Sequence, residues 1–574
     1  MRILVLALSA FFALFLVVSA FSELSPESES RSITDPAAII AKGTVVGCVT
    51  GDVGHLPWRQ GKETLGWISV RAWQNRKLIA VTRTHTDGSF VLALSPGVYE
   101  IEITRPAFLP SEKKISVSKG KENTWDVYLI ADPDFGLIVE PRAGMSRFCL
   151  PGEAFQVDCT APHNARDWRV ELFTDYMKIP LVVKQMVRQD SRPGWRLMAQ
   201  VSSDTLPGLY HLRVSYRDAN GIMHKSEQPG VVYLLKSYPE RFRLLMHGDW
   251  HFNWFVDREG TAGEIQADYF RAATLLNALW ISLGDDIGFE GDDHVAMFWH
   301  MLRHESRVPV FLAFGNHDAA ITEEAHQFYF GPPVQARQVG PSIAIVRSFD
   351  LYQEDWFMPE QHIVQVTSAI AEAASQRQTR VVFLAGHQRR WRPSGTHFEM
   401  PSSLKSFLRL DGVRGPRTEA FEQLFLHSFS VISMHGWGGL PYTTRIVEVD
   451  LATRRVRVSP EIILPSVTYT PANNGTASTV SAVIRSLGAA EPAEEYEGVA
   501  EGFTQPPAVD EMKPYDDLTD LSLNFVMPRG RYKASHGRII QQVDVDEITL
   551  IEWSGNAKSE ETQVTIYPID EAGR

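Results

Sequence analysis

The sequence predicts a multidomain chain: an α/β domain of the αββα sandwich type, with polar residues at the carboxyl ends of its strands, flanked by N-terminal β-sandwiches and a C-terminal β-rich region. Three observations predict it. The chain has 574 residues, more than a single core serves. Period-two alternation between turn signals fills the stretch up to about residue 237, whereas strands alternate with helical spacing from about 240 to 460. Each strand of that later stretch is followed at once by glycine and an aspartate, asparagine or histidine.

Composition narrows the class. A hydrophobic share of 44% with 22% charged residues is that of a chain able to bury cores, which excludes a disordered one. A net charge of -13 argues against nucleic acid as a partner, since nucleic-acid binding favours basic faces.

The N-terminus carries an address. Met1 and Arg2 give a short positive start, Ile3 to Val18 is nearly all apolar, and Val18-Ser19-Ala20 has the small residues of a cleavage site. Residues 1–20 therefore read as a secretory signal peptide, and the protein as exported: periplasmic, cell-surface or secreted. The alternative is an uncleaved anchor, because the apolar run is just long enough to span a bilayer. No other segment is apolar enough, so no stable membrane insertion is expected after cleavage. Cys149 and Cys159 flank a short stretch and could bridge in an oxidising compartment, leaving Cys48 odd; three buried thiols are the other option.

Within 43–130, Thr44 to Val49, Gly66 to Trp73, Ser89 to Leu94 and Tyr99 to Thr104 read as strands, with turns at Asp87-Gly88 and Pro96-Gly97. The run Thr86-Asp87-Gly88-Ser89-Phe90, then Leu94-Ser95-Pro96-Gly97-Val98-Tyr99-Glu100, resembles the carboxypeptidase regulatory-like β-sandwich and implies a spacer or adhesion module. Within 135–237, Trp168 to Phe173, Trp195 to Val201 and Gly208 to Tyr216 alternate, which predicts a loosely immunoglobulin-like sandwich serving as a spacer. Residues 461–574 are β-like, broken by an acidic Pro/Ala/Glu stretch at 489–514 that reads as a linker.

Chemistry collects in 240–460. The apolar run Leu244-Leu245-Met246 leads to Gly248-Asp249-Trp250-His251; Trp280 to Leu283 leads to Gly284-Asp285-Asp286; Pro309 to Ala313 leads to Gly315-Asn316-His317-Asp318. Arg380 to Leu384 leads to Gly386-His387, and Phe429 to Ile432 to Met434-His435-Gly436-Trp437. Ligand sites of open α/β sheets lie beyond the strands' carboxyl ends. Oxygen and nitrogen donors without a thiolate suit Zn, Fe, Mn or similar ions rather than a closed structural zinc site.

That order of Asp-x-His, Gly-Asp, Gly-Asn-His-Asp, His and a late His resembles the calcineurin-like metallophosphoesterases over about 210 residues. The stretches Phe328 to Pro332, Ile343 to Val346 and Pro359-Glu360-Gln361 resemble elements of the same family. The resemblance implies one or two divalent or trivalent ions, with Asp249 and His251 on the first, Asp285 bridging, and Asn316, His387 and His435 on the second. His317 would be the catalytic histidine that is not a ligand, oriented by Asp318 or Asp286. A metal-activated hydroxide would hydrolyse a phosphate mono- or diester, so the implied partner is a phosphoester small molecule or a cell-envelope substrate.

The chain departs from the family at Trp437, where a second histidine is expected; an indole nitrogen donates only and cannot ligate. Three outcomes stay open, an enzyme with weakened metal occupancy, a one-metal enzyme, or a degenerate fold without activity acting as a surface binding module. A rival register makes His435 the final histidine and Ser433 the missing one. Arg389 and Arg390 could clamp a phosphate, or belong to a solvated basic loop. His300 and His304 share a helix face, but no third ligand is evident and a structural role is expected. Substrate choice rests on two stretches read as loops, Phe252 to Glu264 and Arg389 to Gly415.

Overall fold

The computed structural model describes residues 42–56, 61–75, 77–85, 87–189, 194–246, 269–283, 292–312, 323–347, 381–386, 407–411, 429–432, 443–452, 455–458, 462–463, 465–485, 510–511, 519–557 and 561–569, with five more positions between 364 and 372.

Alternating strands pair first into a two-sheet unit. Gly43–Asp52 pairs with Ser89–Leu94 and Lys62–Thr64, while the order Lys77–Arg83, Ser69–Gln74, Gly97–Thr104, Ser111–Val117 forms the other sheet. Val45, Phe90 and Leu92 from one sheet and Val70, Ala72 and Ile101 from the other belong to one buried core. The strand Ser111–Val117 is absent from the sequence reading because Glu112, Lys113 and Lys114 interrupt its alternation. Such charges suit an edge strand, where they discourage pairing with another chain.

Eight strands between Ile138 and Leu234 follow in one continuous order, with the twelve-residue strand Lys178–Gln189 near its middle; the pairings are antiparallel except for Arg147–Cys149, which lies parallel to Met223–Leu234. Phe155, Val157 and Leu197 share a core with Val170, Leu172 and Leu212. Here Cys149 and Cys159 are buried free thiols and Cys48 is a half-buried free thiol, so the proposed bridge is absent and the buried-thiol option holds for two of the three. Burial pushes the Cys149 thiol up to about 12.

The central region changes connection type. Its strands are β1 (Arg241–Met246), β2 (Ala278–Leu283), β3 (Val310–Leu312), β4 (Gln335–Val339), β5 (Ile343–Arg347), β6 (Val381–Gly386), β7 (Phe407–Asp411), β8 (Phe429–Ile432), β9 (Thr443–Asp450) and β10 (Arg455–Val458). The helices are α1 (Asp292–His304) and α2 (Glu323–Phe330), preceded by the helical residues 269–275. One sheet runs β3-β2-β1-β9-β10, with β1, β2 and β3 parallel. The other runs β4-β5-β6-β7-β8, and β5 to β8 are all parallel.

Near-continuous apolar runs explain these strands, since both faces are covered. Leu244, Trp280 and Phe311 pack with Ile343, Ile345 and Phe383 of the second sheet. Their neighbours Leu245, Ile281, Val310 and Leu312 join the core that holds Phe270, Phe298 and Leu302 of the helices.

One correction concerns β7. It falls inside the stretch read as a loop, Arg389 to Gly415, and lies between β6 and β8. A five-residue strand with Arg409 and Asp411 in it gives too short and too polar a signal to be read from periodicity.

The stretch after residue 461, read only as β-like, folds as two further sheets. One runs Ser466–Thr470, Val480–Arg485, Glu561–Pro568, Tyr532–Ala534; the other runs Leu521–Pro528, Ile548–Gly555, Arg538–Val545. Val480, Ala482 and Ile566 pack with Phe525, Ile551 and Trp553. The chain is therefore multidomain and mostly β. Among the described residues no helix is long and apolar enough to cross a membrane.

Candidate metal centre at the carboxyl edge

Two contacts fix how the central sheets face each other. At one end, the amide of Leu312, the last residue of β3, donates to Gly144 O at 2.9 Å, and Arg347, the last residue of β5, donates from Nη1 to the same oxygen at 3.4 Å. At the other end, Tyr238, just before β1, lies against Gly340, just before β5. Gly340 has a φ of +63°, and a side chain there would strike the Tyr238 ring. Carboxyl ends therefore lie with carboxyl ends, and the parallel strands of both sheets share one edge.

Arg347 anchors that edge. It is fully buried, and its Nη2 donates to the carbonyl of Phe330 at 3.1 Å and to that of Pro332, closing the end of α2. A cation at a helix carboxyl terminus meets the unsatisfied carbonyls there. Burial draws its guanidinium down to about 9. Its role was not visible in the sequence, where it is one arginine ending an apolar run.

The predicted ligands follow this edge in the chain. Asp249 comes three residues after Met246, Asp285 two after Leu283, Asn316 four after Leu312, His387 one after Gly386 and His435 three after Ile432. These residues themselves, with His251, Asp286, His317, Asp318, Arg389, Arg390 and Trp437, lie outside the described residues, as does the signal-peptide stretch 1–20. What the structure supplies is the scaffold up to the strand end that precedes each of them. Among the described residues, no three His, Cys, Asp or Glu side chains stand close enough to hold an ion.

His300 and His304 do lie in one helix, with ring centroids 4.9 Å apart, and serve a different purpose. His304 Nδ1 stands 3.6 Å from Asp175, whose carboxylate also pairs with Arg303 at 3.1 Å and with Arg71 at 3.4 Å. One buried carboxylate from the second sandwich thus joins the first sandwich to α1. Despite burial, the two guanidiniums and His304 hold Asp175 well below the usual carboxylate range. Burial draws His304 well down and His300 to about 4, so both rings are neutral near pH 7. Neither reading of a zinc-like pair nor its spacing revealed Asp175, which is remote in sequence.

A cleft of about 1190 Å³ opens at the opposite end of the central sheet, where it meets the second and the C-terminal sandwiches. Its walls are already paired, Arg243 with Glu448 at 2.8 Å, Arg241 with Asp450 at 2.7 Å and Lys236 with Glu552 at 3.1 Å. It is a seam between domains, away from the edge that the ligand-type residues follow.

No known family profile matches the chain, and no curated protein matches it. Among solved structures it is similar to a purple acid phosphatase from yellow lupin (Lupinus luteus) seeds, at 12% identity over 77% of this chain and 93% of that one, with a TM-score of 0.31. It is also similar to the major pilin subunit of Bacillus cereus, at 13% identity over 36% of this chain and 73% of that one, with a TM-score of 0.14. A mixed-linkage glucan-binding protein of a Bacteroides ovatus utilization locus matches at 13% identity over 32% of this chain and 40% of that one, with a TM-score of 0.14. None of these scores reaches the level of a shared overall fold.

Proposed function

We propose that the chain is an exported, metal-dependent phosphoesterase acting on phosphate mono- or diesters, with its centre at the carboxyl edge of the two central sheets. The observation that carries the reading is that edge. Strands of both sheets end on it, and five of those ends are followed within four residues by Asp249, Asp285, Asn316, His387 and His435. A chain advances at most about 3.6 Å per residue, so each of these residues stays within reach of its strand end.

The donor set fits the ion class. Carboxylate, amide and imidazole donors suit Mn, Fe or Zn, and no thiolate is present to close the site. Ions of this kind, when bound, supply an activated water and the charge that steadies a phosphoryl group. In this reading Asp249, His251, Asp285, Asn316, His387 and His435 would hold the ions, Asp249 and His251 on one side and Asn316, His387 and His435 on the other. His317 gives its proton to the leaving oxygen, and Asp318 or Asp286 keeps its ring oriented for that transfer. Arg389 and Arg390 bind the phosphate oxygens through their planar forks. Residues 1–20 direct export.

The test is direct. Full-length protein loaded with Mn, Zn or Fe should hydrolyse p-nitrophenyl phosphate or its bis ester, and His317→Ala should lower kcat by about 10²- to 10⁴-fold. Protein that binds none of these metals and hydrolyses neither ester overturns the reading.

A second reading is a degenerate phosphoesterase fold that acts as a surface binding module. Trp437 in place of a histidine favours it, as do the sandwiches on both sides of the central region. Trp437→His separates the two: a large gain in metal content and activity would mark decay, whereas a native protein that is already fast excludes a purely binding role.

A further inference from the structure

The loop 471–479 joins the antiparallel strands Ser466–Thr470 and Val480–Arg485 of the C-terminal region. It holds Asn474-Gly475-Thr476, an asparagine followed two places later by threonine with no proline between them, and no other asparagine of the 574 residues has serine or threonine at that spacing. Such a tripeptide is the acceptor sequence for an N-linked glycan in an exported chain. A three-residue motif is weak alone, and the geometry of this loop supplies the rest.

Hydrogen bonds sort two neighbouring asparagines. Asn473 uses both ends of its amide on the adjoining sheet: Nδ2 donates to Asn524 O at 2.8 Å, and Oδ1 accepts from the Val526 amide at 2.7 Å. Asn474 uses only its oxygen. Its Oδ1 accepts from the Thr476 hydroxyl at 2.6 Å and from the Thr476 amide at 3.2 Å, which makes an Asx turn. Among the described residues, its Nδ2 has no hydrogen-bond partner. A side-chain amide nitrogen carries two donors. Replacing one of them by a bond to carbon breaks no internal contact at Asn474, whereas at Asn473 it would compete with the bond to Asn524. Gly475 is fixed by the fold, with a φ of +78° and no room for a side chain, which would meet Ile548 at 2.7 Å. Its carbonyl accepts from Lys77 Nζ of the first sandwich at 2.9 Å, so the turn is anchored. Pro471, Ala472, Thr476, Ser478 and Thr479 are exposed and Asn474 is half-buried, so the tripeptide stands at a surface.

We propose that Asn474 is an N-glycosylation site, taking an oligosaccharide from a polyprenyl pyrophosphate donor. A bond forms between Nδ2 and the anomeric carbon of the sugar, and the bond from that carbon to the pyrophosphate oxygen breaks. The lipid pyrophosphate leaves with the electron pair, and one Nδ2 proton passes to a base. The resulting secondary amide keeps Oδ1 as an acceptor for Thr476, so the turn survives the modification. The sugar then stands in solvent beside the Lys77 contact between the first and C-terminal sandwiches. This inference rests on the export half of the reading above, because only an exported chain meets such a donor, and it is independent of the metal centre.

The experiment takes the full chain from the cells that make it and reads intact and peptide masses before and after a peptide N-glycosidase, which turns a released acceptor asparagine into aspartate. The exported wild type should lose its excess mass completely, with aspartate appearing at position 474 alone. Thr476→Ser keeps the hydroxyl and should keep the glycan, and Thr476→Ala should lose it. Asn474→Asp keeps both acceptor bonds of the turn but has no amide nitrogen, so it should be exported like wild type and carry no glycan. Exported protein with residues 1–20 removed and an unmodified Asn474 overturns the proposal and leaves the export reading standing. An excess mass that persists in Asn474→Asp overturns it as well. A chain kept in the cytoplasm with residues 1–20 still attached overturns the export reading and the proposal together.

Discussion

The indole of Trp280 and the ring of Phe383 meet edge to face, with centroids 5.3 Å apart and planes at 79°. Trp280 lies in β2 and Phe383 in β6, so this pair joins the two central sheets. Phe242 touches both rings, at 5.5 Å and 5.9 Å. Edge-to-face pairs add about 0.5–1.5 kcal/mol beyond the area they bury.

Removing Trp280, which is fully buried, opens a cavity between the sheets. Trp280→Ala should cost about 3–5 kcal/mol of stability. Denaturant unfolding measures it, and a double-mutant cycle with Phe383→Ala should show coupling between the two positions. Purely additive losses would mean that the sheets are held together elsewhere.

Asp175 makes a second prediction. Asp175→Asn leaves Arg303 buried without its carboxylate and Arg71 with Glu102 alone, at 2.8 Å. Breaking a buried pair on one side costs about 3–5 kcal/mol. Limited proteolysis should then release the N-terminal sandwiches from the rest of the chain, and resistance equal to wild type would show that the junction bears no load.

The buried histidines predict how stability varies with pH. The folded chain keeps His300 neutral down to about 4, whereas the unfolded chain protonates it near 6.5. Above pH 6.5 both states are neutral and stability is full. As pH falls through the window from about 6.5 to 4, the unfolded state gains a proton first and stability declines. His304 and His211 are drawn down by burial as well and act in the same direction. Asp175, held low, keeps its contribution until the pH drops below the ordinary carboxylate range. Urea midpoints at pH 7 and pH 5 should therefore differ, and His300→Gln should shrink the difference.

Thiol reactivity supplies the fourth. Cys149 and Cys159 are buried and their thiols are pushed up, so neither is a thiolate at neutral pH. A thiol reagent should modify at most Cys48 in the folded protein and all three cysteines after denaturation. Two unreactive cysteines that stay unreactive in denaturant until a reductant is added would reveal a bridge.

The strands that were legible in sequence are those with clean alternation or unbroken apolar runs. Ser89–Leu94 and Phe429–Ile432 have the bounds read from sequence alone. Those that were not legible carry charges for edge or register reasons: Ser111–Val117 at a sheet edge, and Phe407–Asp411 wedged between two parallel strands. The order of ligand-type residues after strands was readable because glycine punctuates each strand end. The shared edge was not, since it depends on Gly144 receiving Leu312 from one sheet and Arg347 from the other. Nor was Asp175, whose partners lie 104 residues away at Arg71 and on the far side of the second sandwich at Arg303.

Gly144 has a further meaning for how this chain can be divided. Residues 143–146 run along the second sandwich just before its strand Arg147–Cys149, Met145 bridges to Phe311 of β3, and Arg337 of β4 donates to the Met145 carbonyl at 3.2 Å. The segment is a strap laid across the open margins of both central sheets. Sequence puts a boundary near residue 240, but a fragment beginning there would lose the strap, baring the flank of β3 and leaving the Arg347 guanidinium only the Phe330 and Pro332 carbonyls. The apparent spacers at the front of the chain are in this sense part of the central region's own frame.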